Sequence, residues 1–369
     1  MARKAHRAGA IDRRGFIKAG ILAGGLTAVA AGRKQGGSHP EVVDPKLSSH
    51  DHSGHGPAGV VGEVDHAANG FDPTELLHDW DFGTVSSLPS GQTLREYEIT
   101  ASDKDIEVAP GVFFAAWVYN GRVPGPSLRS IEGDRIRIKF TNAGSHPHTI
   151  HFHGIHSAAM DGVPGVGAGM IEPGDSTVYE FDALPMGCHL YHCHSIPLKR
   201  HIHKGLYGAF IVDPDPNRYT GAEVEIAKSR NHEYPENGTV NEMVMLMNAF
   251  DTNFDGDNEI YAVNTVAFAY LTRPIQVRRD QLQRLYLINI TEFDPINSFH
   301  LHANFFNYYD HGTTLTPTLR TVDTIMQAQA QRGILEFSFQ GFEPGMYMFH
   351  AHVSEFAELG WTGFFDVVE

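Results

Sequence analysis

One pattern runs through this chain twice. An alternating run from Arg135 to Phe140 leads to His148, His151 and His153, and a similar run from Arg284 to Asn289 leads to Asn297, His300 and His302. Arg135 and Arg284 are 149 positions apart, and so are His151 and His300. Further on, His192, Cys193 and His194 have counterparts in His350, Ala351 and His352, as Gly205, Leu206 and Gly208 have in Gly360, Trp361 and Gly363. Repetition at this length means two copies of one domain in tandem. Within the first copy, Ile136, Ile138 and Phe140 alternate with Arg135, Arg137 and Lys139, the period of a half-buried strand. Turn formers such as Asn120-Gly121, Pro124-Gly125, Pro173-Gly174 and Pro344-Gly345 recur, and no long helical period is present. The expected fold is all-β: two tandem Greek-key β-sandwich domains at residues 72–212 and 240–369, joined by a linker at 213–239.

Ahead of the repeats, Arg13-Arg14-Gly15-Phe16 precedes an apolar, uncharged run from Ala19 to Ala31. This is the layout of a twin-arginine export signal over residues 1–31, too short and too rich in Gly and Ala for a stable membrane anchor. Export implies a periplasmic or secreted protein. Residues 32–71, rich in Gly, Pro, Ser and His with no hydrophobic period, are expected to form a flexible tether, with His50, His52 and His55 as solvated tail residues. The net charge of −16 disfavours a phosphate backbone, so nucleic acid is not an expected partner. Only two cysteines, Cys188 and Cys193, occur in the 369 residues, so an exported chain is built without a disulfide framework.

The 23 histidines explain what a free thiol is doing there. Alternation along a strand points both imidazoles of a His-x-His pair to one face. Four such pairs occur at matched places of the repeat: His151/His153, His192/His194, His300/His302 and His350/His352. One pair alone is often a satisfied polar feature; four repeated pairs are a metal site. Eight imidazoles without a carboxylate cage or a cysteine-rich knuckle suit copper better than calcium, magnesium or structural zinc.

With His148-x-x-His151-x-His153, His192-Cys193-His194 and His201-x-x-x-Gly205-Leu206 in view, the chain resembles the two-domain, laccase-like multicopper oxidases, whose domains have the cupredoxin fold. The resemblance covers both repeats. It implies that His148, Cys193 and His201 hold a type 1 copper, with Leu206 where many relatives have a weak axial Met. It further implies type 2 copper on His151 and His300, and a type 3 pair on His153, His192, His194, His302, His350 and His352, about four coppers per chain. His203 competes with His201, but only His201 has the spacing to Gly205-Leu206. In the second repeat Asn297, Ala351, Phe356 and Trp361 replace every type 1 ligand, while all four cluster histidines remain. One type 1 site in the first domain and half a cluster on each domain is the pattern of that branch, and it implies a homotrimer with clusters between subunits.

The implied activity is one-electron oxidation of a small-molecule donor, phenolic by family default, coupled to reduction of dioxygen to water. The alternatives are a copper nitrite reductase, which has no use for the type 3 histidines, and a cuprous or ferrous oxidase, for which the ten scattered Met residues give little support. Asp161 matches an acid that in relatives assists proton delivery. Glu355 is one position out of register with another such acid. Cys188 is read as a buried structural thiol, and His146, His156 and His189 as neighbours of the site. Asp251-x-Asn253-x-Asp255-Gly256 begins like a calcium loop but has Ala262 where a bidentate Glu is required, so it is read as a hairpin tip.

Overall fold

The alternating run at Arg135–Asn142 forms a strand whose Ile136, Ile138 and Phe140 are fully buried. On its outer face Arg137 pairs with Glu96 at 3.0 Å and Glu180 at 2.9 Å, and Lys139 with Glu98 at 3.1 Å, tying it to both flanking strands. The computed structural model describes residues 63–369; the export signal and the tether up to residue 62 lie outside the described residues.

Strands of the first repeat make two sheets. One runs in the order Trp80–Asp81, Ser127–Ile131, Tyr207–Asp213, Gly187–His192, His151–Phe152. The other runs Thr84–Ser87, Thr93–Ala109, Arg135–Asn142, Ser176–Asp182, with Val112–Tyr119 also paired to Thr93–Ala109. The second repeat makes a six-stranded sheet, from Ile260–Val263 through Val240–Phe250 and Leu282–Asn289 to Leu319–Val322, and a five-stranded sheet containing Ile296–Leu301, Gly345–His350 and Thr362–Val368. The all-β expectation holds. Helices are single turns or little more.

Apolar side chains collect in three clusters. Ile136, Ile138, Phe152, Tyr191 and Phe210 belong to one drawn mainly from the first repeat, and Leu285, Leu287, Phe299, Phe349 and Phe365 to one drawn mainly from the second. The third mixes Ile106, Phe114 and Leu190 with Val244, Leu246, Phe250 and Ile288. Leu282–Asn289 therefore lacks the solvent face of its first-repeat counterpart: Leu285 and Leu287 enter one cluster, Tyr286 and Ile288 another. A strand covered on both sides reads as a continuous apolar run.

A chain of buried ion pairs accompanies this shared core. Arg129 bridges Asp213 at 3.0 Å and Glu242 at 2.6 Å; Arg284 bridges Glu242 at 2.9 Å and Glu336 at 2.8 Å; Arg230 reaches Glu336 at 3.3 Å. Burial pushes the Glu242 carboxyl upward, but Arg129 and Arg284 outweigh it and hold the group at about 2. Residues 213–239 contain the helix Glu223–Ser229, and Arg230 and Asp213 anchor them into this network.

The tether ends earlier than residue 71. Val64, Asn69 and Phe71 are buried, and Asp65 caps the short helix His66–Asn69 by accepting from the Ala68 amide. The physical reason is Asn69, whose side chain donates to the Glu107 carbonyl and accepts from the Glu107 amide, so that it pairs with a strand backbone as another strand would. No helix among the described residues is long and apolar enough to cross a membrane.

Candidate metal centre

Cys193 follows the strand Gly187–His192, and its sulfur lies fully buried beside two imidazoles. Sγ is 3.3 Å from Nδ1 of His201 and 3.9 Å from Nδ1 of His148, and the two Nδ1 atoms are 3.2 Å apart. Three donor atoms converge on one point. Burial lowers His148 to about 3 and His201 to about 4, so both rings are neutral with lone pairs available. Burial raises the thiol of Cys193, while amides of Ser195 and Thr149 pull in the other direction by donating to the sulfur. A thiol with two imidazoles in a triangle is a donor set for a one-electron copper site. Trp117 packs against both imidazoles, with ring centroids 4.7 Å from His201 and 5.1 Å from His148.

His201 is placed by the helix Leu198–His203 and the glycine that follows. Gly205 has φ +111, and a Cβ there would stand 2.6 Å from Val123 Cγ2. The chain then returns so that the Leu206 carbonyl accepts from the Cys193 amide at 2.9 Å, with Leu206 fully buried. His203 turns the other way: its Nε2 accepts from the Asp251 amide at 3.0 Å and its ring packs on Phe293.

The paired histidines form two near-identical clusters. In the first, Nε2 of His153 and His192 are 2.8 Å apart, and the His151 ring lies 5.0 to 5.3 Å from those of His153, His192 and His194. In the second, Nε2 of His302 and His350 are 3.0 Å apart, and His300 lies 4.9 to 5.3 Å from its three neighbours. The tautomers follow from the backbone. Nδ1 of His151, His192, His300 and His350 donates to the carbonyls of Asp161, Cys193, Asp323 and Ala351 respectively, which leaves each Nε2 as a bare lone pair. Burial and the facing His192 depress His153 to about 2, and burial depresses His192 to about 3. Two neutral nitrogens facing each other within 3 Å suit a shared cation. Among the described residues, no donor set converging within 4.8 Å combines histidines of both clusters.

Asp161 stands behind His151: its Oδ1 is 3.0 Å from His151 Nδ1, and 3.6 Å from Nε2 of His156. The turn depends on Gly162, where φ is +69 and a Cβ would overlap the Ile150 carbonyl.

The second repeat keeps the backbone of the thiol site without its donors. Ala351 donates to the Trp361 carbonyl at 3.1 Å as Cys193 does to Leu206, and Trp361 donates to Phe356 as Leu206 does to His201. Asn297 turns to Thr291, Phe356 stacks on Tyr261 with centroids 3.9 Å apart, and Trp361 packs on Phe349. Aromatic rings fill the space.

Two family models, both described as multicopper oxidase, match residues 100–217 and 237–369. A solved multicopper oxidase is 55% identical, superposes with a TM-score of 0.75, and covers 83% of this chain and all of its own. The chain belongs to the multicopper oxidase family. Copper binding and copper-dependent oxidoreductase chemistry come with membership of the multicopper oxidases. Among curated relatives, a probable nitrite reductase-hydroxylamine oxidoreductase fusion protein of Kuenenia stuttgartiensis is 30% identical over 74% of this chain and 31% of its own length. Copper resistance protein A of Escherichia coli is 36% identical over 42% of this chain and 26% of its own. The chain thus spans a third or less of these curated relatives' length.

For this multicopper oxidase, the structure brings together His148, Cys193 and His201, and separately the two sets of four histidines. Cys188 is a fully buried thiol pushed up to about 12 by burial, in keeping with a structural role. Residues 251–259 connect paired strands, with the Asp251 carboxylate accepting from the Asp255 and Gly256 amides, so the hairpin reading holds. Sequence reasoning missed Trp117, which carries no motif, and Glu292, which lines the first cluster's cavity.

Proposed function

We propose that this chain is a laccase-like oxidase that takes single electrons from a small-molecule donor at the His148–Cys193–His201 site and delivers four of them to dioxygen at a histidine cluster. One observation carries the reading: the thiol of the three-donor site and two imidazoles of the first cluster, His192 and His194, are consecutive residues. The covalent path from one site to the other is as short as a chain permits. When bound, copper supplies the one-electron redox chemistry and the site of dioxygen binding.

The residues divide the remaining work. His148, Cys193 and His201 would hold a type 1 copper away from water, beside a fully buried Leu206 that offers no donor atom. His151 and His300 would serve type 2 copper, and His153, His192, His194, His302, His350 and His352 a type 3 pair. Backbone carbonyls fix the rings of His151, His192, His300 and His350, so little reorganisation of these four accompanies electron transfer. Asp161, about a third exposed, exchanges protons with solvent and passes them along the back of His151. Because each cluster supplies only four imidazoles and no donor set spans both, the reading includes a homotrimer in which first-domain and second-domain clusters of neighbouring subunits meet. The Arg13-Arg14 leader places the protein in the periplasm or outside the cell.

Nitrite reduction is the second reading, favoured by the name of the Kuenenia relative. A lone type 2 site needs three imidazoles, which leaves most of these eight without purpose. Supplying copper-loaded protein with phenolic, ferrous or cuprous donors decides between them. One dioxygen consumed per four donor electrons, without nitric oxide from nitrite, is expected; nitric oxide production without dioxygen uptake refutes the oxidase reading.

A further inference from the structure

The first histidine cluster opens into a cavity of about 280 Å3, and one wall of that cavity comes from the second repeat of the same chain. His151, His153, His192 and His194 line one side, and Ile290, Glu292, Gln329 and Ala330 the other. Glu292 is the carboxyl among them, only 8% exposed. Its Oε1 accepts from Nε2 of Gln329.

Two features separate Glu292 from an ordinary buried carboxylate. Glu242 and Glu336 each lie between two arginines, whereas among the described residues no Lys or Arg comes within 4 Å of the Glu292 carboxyl. A buried acid without an ionic partner costs stability that hydrogen bonds from Gln329 and the Phe293 amide offset only in part. The turn that carries it and the turn facing it are both held in unfavourable conformations. Phe293, next to Glu292, has φ +70, and Ala330, next to Gln329, has φ +64, both left-handed in residues with a Cβ. Neighbours hold the Glu292 turn in place: Asn258 Nδ2 donates to the Glu292 carbonyl and to Asp294 at 2.8 Å each, Phe293 packs on the His203 ring, and Lys199 sits 3.9 Å over Phe293. Strain that the surroundings maintain is found where a side chain has to be aimed.

We propose that Glu292 is a second proton-transfer residue of the dioxygen site, contributed by the second domain to the first-domain cluster of its own chain. The inference rests on the oxidase reading above. Reduction of one dioxygen to two waters consumes four electrons, taken from four donor molecules, and four protons from solvent. Glu292 releases a carboxyl proton through cavity water to the oxygen being reduced, and is reprotonated from bulk, so it is unchanged over the cycle. Asp161 cannot replace it from its position, because Asp161 contacts His151 at Nδ1, on the ring edge away from the Nε2 atoms that face the cluster. Charged or titratable groups facing Glu292 are the four imidazoles and Lys199 from the helix Leu198–His203.

Glu292→Gln keeps the shape and the Gln329 contact while removing the exchangeable carboxyl proton. Copper content and the visible band are expected to stay as in the wild type. Turnover with dioxygen limiting should fall about tenfold or more, with a larger solvent isotope effect, and Glu292→Asp should recover part of it. Azide, titrated by absorption at alkaline pH, should bind the resting E292Q protein about tenfold more tightly because a nearby negative charge is gone. Wild-type turnover and isotope effect in E292Q overturn the proposal, as does loss of copper from both variants, which makes Glu292 structural. A wild-type protein that holds copper but consumes no dioxygen refutes the oxidase reading instead.

Discussion

Nε2 of His153 lies 2.8 Å from Nε2 of His192, and the His192 ring has already given its proton to the Cys193 carbonyl at 2.9 Å. Nothing in the ring of His192 remains to donate. Burial leaves both rings neutral, so the contact is favourable either with the neutral Nε2–H tautomer of His153 donating to His192 or with a cation between the two nitrogens. The same pair recurs at His302 and His350, 3.0 Å apart. Occupancy of the clusters and of the thiol site can be separated by substitution.

Cys193→Ser removes the sulfur and leaves His192 and His194 in place. The copper-loaded variant should lose the intense visible band while retaining about three of roughly four coppers per chain. Metal analysis with absorption spectroscopy checks this, and a variant that remains blue would remove Cys193 from the site.

Leu206 offers no donor atom. Leu206→Met adds a thioether on the side of the thiol site reached by the Leu206 backbone, and the reduction potential should fall. Redox titration reads the outcome; a potential that is unchanged or higher means that the side chain does not face the metal.

Neither cluster alone holds three coppers. Chains with His151→Ala/His153→Ala and chains with His300→Ala/His302→Ala should each be inactive, yet mixtures reassembled together should regain activity, because some interfaces then join two intact clusters. Sedimentation before and after mixing establishes the exchange. A fully active monomer, or no rescue after proven exchange, counts against shared clusters.

Glu242 neutralises Arg129 and Arg284 inside the shared core. Glu242→Gln leaves two buried guanidinium groups short of a counter-charge and should cost about 3–5 kcal/mol in denaturant unfolding. The pH dependence has a definite sign. The folded carboxyls of Glu242 and Glu336, at about 2, lie below the ordinary glutamate value of 4.5, so their stabilisation is complete above that value and is lost as pH falls from about 4.5 through about 2. The variant should show a flatter loss of stability over this window.

The repeat, the alternating strands and the His-x-His pairs were legible because each depends on residues close together in the chain, where a period of two already decides which side chains share a face. That was enough for an all-β fold and for the four His-x-His pairs on shared faces, while the preference for His201 over His203 came from the resemblance, through its spacing to Gly205. What depends on distant segments was not legible. Tether residues 63–71 are ordered because Asn69 pairs with the backbone of Glu107, a contact no local pattern announces. Arg284 matches the solvent-facing Arg135 in the repeat, yet it is buried between Glu242 and Glu336, since only the assembled chain places a second apolar cluster over that strand. Glu292 entered a histidine cavity for the same reason. Sequence sets the faces of each strand by local geometry; which faces meet, and which charges are thereby stripped of water, is decided when the sheets pack.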